Sequence, residues 1–418
     1  MHDVAIIGSG VAGLTAAYAL HGGAHVTLFE RDDRFGGHAH THAVRDSSGA
    51  ELAIDSGFIV HNERTYPTLL RLFGELGVAT QPTEMSMSVR CDGCGLEYAG
   101  GRGAGAILSQ PRRLADPRFA RMLLEVPRFH RAARRLLDAD TSTGPDWGTF
   151  LRDGGYSDYF VRHFALPLVS CVWSSGDADT RRYPARHLFA FLANHGMLAI
   201  GGSPQWRTVT GGSATYVHAL VDRLQMARHS TPVVAVRRHP DGVDVTTADG
   251  GTATFDRVVI ATHADDALRM LVDANTDERR DLGAFTYSTN TAWLHRDAEL
   301  LPRTPRARAS WNYRVDACND ETSAVHVSYW MNRLQALPAA DDYLVTLNPG
   351  TAVDTGRVLA RMEYMHPVFT ADAVAAQSRL REAGGPRLAF AGAHLGWGFH
   401  EDGARSGLEA ARRLGSTW

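Results

Sequence analysis

Three stretches combine residue types and spacings that could do chemistry. Gly8-Ser9-Gly10-Val11-Ala12-Gly13 can cradle a phosphate: Gly8 makes a tight turn, Gly10 admits a pyrophosphate against the backbone, and Gly13 lets a helix sit close to a strand. Cys91-Asp92-Gly93-Cys94 has the CxxC spacing of a thiolate metal site. His38, His40 and His42 alternate, so on a strand they would share one face and could ligate a metal. Zinc at the CxxC would need a second pair, and Cys171 and Cys318 are single and distant in the chain. The Asp-Gly inside it reads instead as the turn of a β-hairpin with two incidental thiols. The histidines have no acid or Cys at ligand spacing, and no metal is expected.

The glycine run has its supporting elements in the right order. Val4–Ile7 is an apolar strand, Leu14–Leu20 an Ala-rich helix, and His25–Glu30 a second strand. The helix opens at Val11 and Ala12, whose N–H groups and positive dipole end suit phosphates. Glu30, closing the second strand, is placed to accept hydrogen bonds from a ribose diol. A dinucleotide is the expected ligand. Further on, His61-Asn62-Glu63-Arg64-Thr65-Tyr66-Pro67 is polar between apolar flanks. It is either a helix start, with Thr65 capping a helix to Glu75 and Pro67 in its first turn, or part of an active site.

The chain has 418 residues, which suits two domains, and a formal charge of −3, which gives no reason to expect a nucleic-acid partner. All 43 basic residues are Arg, since the sequence contains no Lys. Four Cys in this length point to a reducing compartment. No signal peptide and no apolar run of about 18 residues is visible, so a soluble, cytoplasmic protein is expected. Pro111–Asp140 is helical and rich in Arg. It is either a solvated helix face or a surface that makes peripheral contact with anionic lipid headgroups. Tyr156–Val172 continues as helix, with Pro167 a kink or break. Trp173, Tyr183, Phe189, Phe191 and Met197 lead an aromatic region through Ile200, either core or the wall of a tunnel for a long apolar substrate.

Gly36-Gly37 follows the ribose acid within the stretch from Arg31 to His38, and the tail reads Arg387 to Ala391, Gly392-Ala393-His394, then Gly396-Trp397-Gly398-Phe399-His400-Glu401-Asp402-Gly403 before a helix. In these features the chain resembles the amine oxidase and phytoene desaturase superfamily of FAD enzymes. The resemblance implies FAD, with Gly36, Gly37 and Arg31 near the nucleotide and His38 on the pyrophosphate or, in a second reading, covalently joined to the flavin. It further implies that the Gly57-Phe58-Ile59 backbone passes the flavin ring, that Val233 packs on adenine, and that Ala261 lies beside the ADP moiety. At the tail, Gly392, Ala393, Phe399 and His400 would meet the flavin, with the helix N-terminus at its pyrimidine end. The runs 61–67, 204–209, 310–313 and 398–403 narrow the likeness to a bacterial subfamily of FAD/NAD-binding oxidoreductases. Its members resemble the N-terminal oxidase domain of plant cyclopropane-fatty-acid synthases, which implies an unsaturated or methyl-branched acyl substrate.

Typical amine oxidases of this fold hold a water between a Lys and flavin N5. A chain without Lys cannot do so, and Arg cannot accept the proton because its pKa stays above about 12. Trp397 and Phe399 also stand where the amine cage usually carries Tyr. The resemblance brings His61, Glu63, His400 and Glu401 toward the flavin as candidate acid/base residues, with His163 and His195 more distant candidates. The expected fold is α/β: a Rossmann-like FAD-binding domain of the glutathione-reductase type, in its amine oxidase variety, with an inserted α+β substrate domain. Residues 1–84, 205–265 and 386–418 would form the first, and 85–204 and 266–385 the second. The expected activity is hydride transfer between flavin N5 and an apolar, small-molecule or lipid substrate. The alternatives are a biosynthetic amine oxidase and a non-redox isomerase.

Overall fold

His2–Ile7 is the central strand of a parallel five-stranded sheet, described here from a computed structural model covering residues 1–139, 144–173, 181–198, 203–318 and 325–418. Its order across the sheet is Met226–Arg228, Ala24–Phe29, His2–Ile7, Arg257–Ile260, Leu388–Phe390. The pairing sets Leu28, Ile6, Val259 and Ala389 in one buried row. Strands buried on both faces read as unbroken apolar runs, which is how Val4–Ile7 and Val258–Ile260 appear in the sequence.

Two helices cover one face of this sheet, Val11–Leu20 at the start of the chain and His400–Arg413 at its end. They touch backbone to backbone. A Cβ on Gly407 would penetrate the Ala12 carbonyl, and one on Gly403 would meet Val11 Cγ1 at 2.6 Å. A three-stranded antiparallel sheet, Val233–His239, Gly242–Thr247 and Thr252–Phe255, packs through Val236, Val245 and Phe255 against the other face.

A mostly antiparallel seven-stranded sheet forms a second body. Its order is Val358–Val368, Thr286–His295, Leu344–Leu347, Val325–Trp330, Trp311–Val315, Met87–Cys91, Leu96–Gly100. The last two strands make the hairpin expected around Cys91–Cys94. A helical layer that includes Pro117–Asp138, Trp147–Asp153 and Ala185–Asn194 packs on it through Phe119, Phe129, Trp147 and Phe189. The expected helix 156–172 is interrupted. Val161–Ala165 is a π-turn just before Pro167, which lacks an N–H to continue the regular pattern. Ile200 and Asp140 lie outside the described residues. No helix among the described residues is long and apolar enough to cross a membrane.

Candidate functional site

A cavity of about 490 Å³ runs from the glycine turn to a wall of aromatic side chains. At one end, Gly8, Ser9 and Gly10 bend under the N-terminus of Val11–Leu20, which has no side-chain cap. Gly8 takes a φ of +100° that favours glycine. Gly13 is required by packing, because a Cβ there would run into the Gly8 carbonyl oxygen. Gly10 is different: its φ of −63° suits any residue, and a Cβ would meet no protein atom within 4 Å. The fold does not explain a glycine at position 10, whereas a ligand pressed against that backbone does.

Glu30 ties this loop together. One carboxylate oxygen accepts from the Ser9 N–H at 2.9 Å and the Ser9 hydroxyl at 2.5 Å, and the other from the Asp32 N–H at 2.9 Å. The Gly36 N–H in turn donates to the Ser9 hydroxyl at 3.1 Å, bringing the Gly36-Gly37 turn against Gly10. Arg34 also lines the cavity and donates to the Gly37 carbonyl at 2.8 Å, with no carboxylate partner among the described residues. It places positive charge where a pyrophosphate would lie. Of the residues proposed to hold the cofactor, Gly8, Gly10, Val11, Ala12, Glu30, Arg31, Gly37, His38, Gly57, Phe58, Ile59, Val233, Ala261, Gly392, Ala393, Phe399 and His400 line the cavity. Gly13 and Gly36 do not; they shape the turns behind it. A bound FAD fits this donor set: uncapped helix N–H groups and Arg34 for its phosphates, Glu30 for its ribose.

The chain matches the family of flavin containing amine oxidoreductases over residues 11–292. It belongs to that family. FAD is its cofactor, and it is a FAD-dependent oxidoreductase. Solved structures agree on the fold. Cyclohexylamine oxidase from Brevibacterium oxydans is 16% identical with a TM-score of 0.71, covering 99% of this chain and 98% of that one. A redesigned putrescine oxidase is 14% identical, TM-score 0.71, over 99% and 98%. A CLA-producing fatty acid isomerase from P. acnes is 16% identical, TM-score 0.70, over 99% of both chains.

The oxidoreductase does not bring its four candidate acid/base residues together. His400 lines the cavity at the first turn of His400–Arg413, stacked on Phe58 at 3.7 Å, its Nε2 2.8 Å from the Tyr216 hydroxyl. Burial pushes its pKa down to about 3, so the ring is neutral at ordinary pH and serves as a hydrogen-bonding wall. His61 is fully buried off the cavity among Phe58, Tyr66 and Phe73, with neither ring nitrogen partnered among the described residues. Glu63 is exposed and pairs with Arg207 at 3.6 Å.

Glu401 is a helix cap. Its two oxygens accept from the Thr68 and Leu69 N–H groups, each at 3.0 Å, at the start of Pro67–Leu76. Thr65, the expected cap, instead bonds Asn62. Charged hydrogen bonds to an otherwise orphaned helix start are worth about 2 kcal/mol. Glu401→Ala is therefore expected to lower unfolding free energy by about that amount while the bound flavin's spectrum stays unchanged, as denaturant titration of the yellow protein will show.

Histidines absent from the sequence-based candidates form one flank. His263, His366 and His394 line the cavity beside His38, and His38 lies 4.9 Å from the Tyr364 ring and 5.4 Å from His366. Burial holds all four below the usual imidazole range, His366 at about 4 and His394 at about 3. His263 and His366 are single residues with no local spacing to mark them, and His394 lies in the tail run beside Gly392 and Ala393, where the resemblance assigns it no role. His40 and His42 do share a face, their rings 4.1 Å apart. They serve the network joining Ser56 to the Tyr364 hydroxyl at 2.7 Å.

Proposed function

We propose that this flavoenzyme oxidises or desaturates an apolar, acyl-type chain, with hydride passing from a substrate carbon to the flavin. The observation that carries this reading is the aromatic lining of the cavity by Phe191, Trp206, Trp311, Tyr329, Phe369 and Trp397. Its rings brace one another: Phe191 stacks on Phe399 at 4.4 Å, and Trp311 meets Tyr329 edge-on at 5.9 Å. Such a surface binds a hydrocarbon by displacing water and offers an ammonium group no buried carboxylate. The cavity's acids are Glu30, Asp32, Asp266 and Glu363. The first two belong to the nucleotide turn, Asp266 pairs with Arg31 at 3.4 Å, and Glu363 is exposed.

FAD, when bound, supplies the two-electron chemistry. The protein's part is to lay the chain against the ring and exclude water, with His400 and its Tyr216 partner fixing one edge. The missing Lys supports the same reading, since the family's amine-oxidising arrangement uses one. A non-redox isomerisation of an unsaturated chain fits this wall too, and the likeness to the fatty acid isomerase favours keeping it as the second reading.

Anaerobic mixing of the holoenzyme with long-chain unsaturated acyl esters is expected to bleach the oxidised flavin band, with primary amines leaving it unchanged. Bleaching by amines alone would reverse the assignment. A shifted double bond in the recovered lipid with the flavin still oxidised would establish the isomerase.

A further inference from the structure

The hairpin thiols are not isolated in space. Cys91 ends the strand Met87–Cys91, and Cys94 sits in the turn before Leu96–Gly100. Met87–Cys91 runs parallel to Trp311–Val315, with Cys91 opposite Val315, which delivers Cys318 to the same end of the sheet. The Asp92 N–H donates to the Val315 carbonyl at 2.9 Å. A Cβ on Gly93 would lie 2.9 Å from the Cys318 nitrogen, so glycine is what lets the two turns close. From the helical layer, the π-turn Val161–Ala165 presents His163, which is 1% exposed.

We propose that Cys91, Cys94, Cys318 and His163 form a Cys₃His site for a structural zinc ion. The four ligand atoms all lie within 4.8 Å of one another. Cys91 Sγ is 3.3 Å from Cys318 Sγ, and His163 Nε2 is 3.7 Å from Cys94 Sγ and 3.8 Å from Cys318 Sγ. A tetrahedron with Zn–S of about 2.3 Å and Zn–N of about 2.0 Å has edges of about 3.5 to 3.8 Å. The cluster is already near those edges, while a disulfide needs its sulfurs about 2.05 Å apart, and all four cysteines of the chain are free.

The surroundings fit as well. His163 Nδ1 donates to the Tyr159 carbonyl at 2.9 Å, which leaves the lone pair of Nε2 facing the sulfurs. Zinc-bound histidines are commonly fixed this way. The Tyr159 ring lies 4.2 Å from that of His163. Arg113 donates to the Cys94 carbonyl, setting a cation beside the site. Binding releases three thiol protons to solvent and leaves three thiolates, one neutral imidazole and Zn²⁺, a net charge of −1 that Arg113 offsets. The site would bolt the sheet's end to the helical layer, where CxxC spacing supplies two ligands and long-range topology the other two.

The test uses the full-length flavoprotein, purified without a polyhistidine tag from zinc-supplemented medium. Elemental analysis is expected to find one zinc per chain, retained through dialysis, and X-ray absorption to find three sulfur neighbours and one nitrogen. Cys94→Ser should reduce zinc to background, and Cys171→Ser, altering the buried thiol outside the cluster, should retain it. The wild-type measurements do not depend on any variant folding. Zinc-free protein, a zinc shell of nitrogen and oxygen alone, a Cys91–Cys318 disulfide by mass spectrometry, or full zinc in Cys94→Ser would each overturn the assignment.

Discussion

Gly10→Val is expected to yield a folded chain that takes up no FAD. The backbone at position 10 has φ −63° and ψ 173°, an extended conformation that valine adopts readily. A Cβ there would meet no protein atom within 4 Å, so the apoprotein should keep its circular dichroism spectrum and elution volume. The new methyls would stand in the cavity where the pyrophosphate crosses the loop. Losing that approach and the helix N–H contacts should weaken FAD binding at least about a hundredfold, close to 2.8 kcal/mol. Gly13→Val is the contrasting control. Its Cβ would be driven into the Gly8 carbonyl, a backbone atom that cannot swing aside, and the expected result is insoluble protein. Equilibrium dialysis with FAD separates the two cases. A yellow, stoichiometrically loaded Gly10→Val protein would show that the nucleotide takes another path.

Acid is expected to unfold the holoenzyme well before ordinary carboxylate titration would. His61 and His366 are held at about 4, His195 at about 4, and His394 and His400 at about 3, in each case mainly by burial. In the unfolded chain the same groups titrate near 6.5. Between those values the unfolded state binds more protons, so stability rises with pH and is lost as pH falls below about 6.5. The loss approaches about 1.4 kcal/mol per histidine per pH unit. Buried carboxylates oppose it: burial raises Asp55, Asp402 and Glu401. Asp55 and Asp402 are pushed up to about 6, so the folded state takes up their protons first and gains stability as pH falls through that value. Those five histidines against these two carboxylates give a loss on the order of 5 kcal/mol between pH 7.5 and 5.5, and His40, His187 and His295, lowered by burial in the same way, add to it in the same direction. Denaturant midpoints at the two pH values, with flavin fluorescence reporting release, will measure it. His61→Phe should flatten the acid limb, because the phenyl ring needs no proton and fits among Phe58, Tyr66 and Phe73. A flat pH profile in the wild type would mean these rings are solvated.

What could be read from the sequence was what local spacing dictates. The glycine turn with Glu30, and the tail's Gly-Trp-Gly-Phe run before its helix, impose their geometry within a few residues, and both reach the cavity. Residues whose role depends on distant partners were not legible. Glu401 looks like a candidate acid beside His400, yet it caps a helix that begins at Pro67, far away in the chain. His61 sits in a polar run, but strand pairing with Arg207 turns its ring into an aromatic core. Cys318 and His163 reach the hairpin only through a parallel strand pair and a π-turn, neither of which CxxC spacing announces.

The close seating of Gly403 and Gly407 on Val11 and Ala12 has a consequence for biogenesis. The first half of the nucleotide cradle leaves the ribosome early, long before the helix His400–Arg413 that must lock over it. Cofactor capture therefore waits for that late helix, and a nascent chain stalled before residue 400 should emerge without colour.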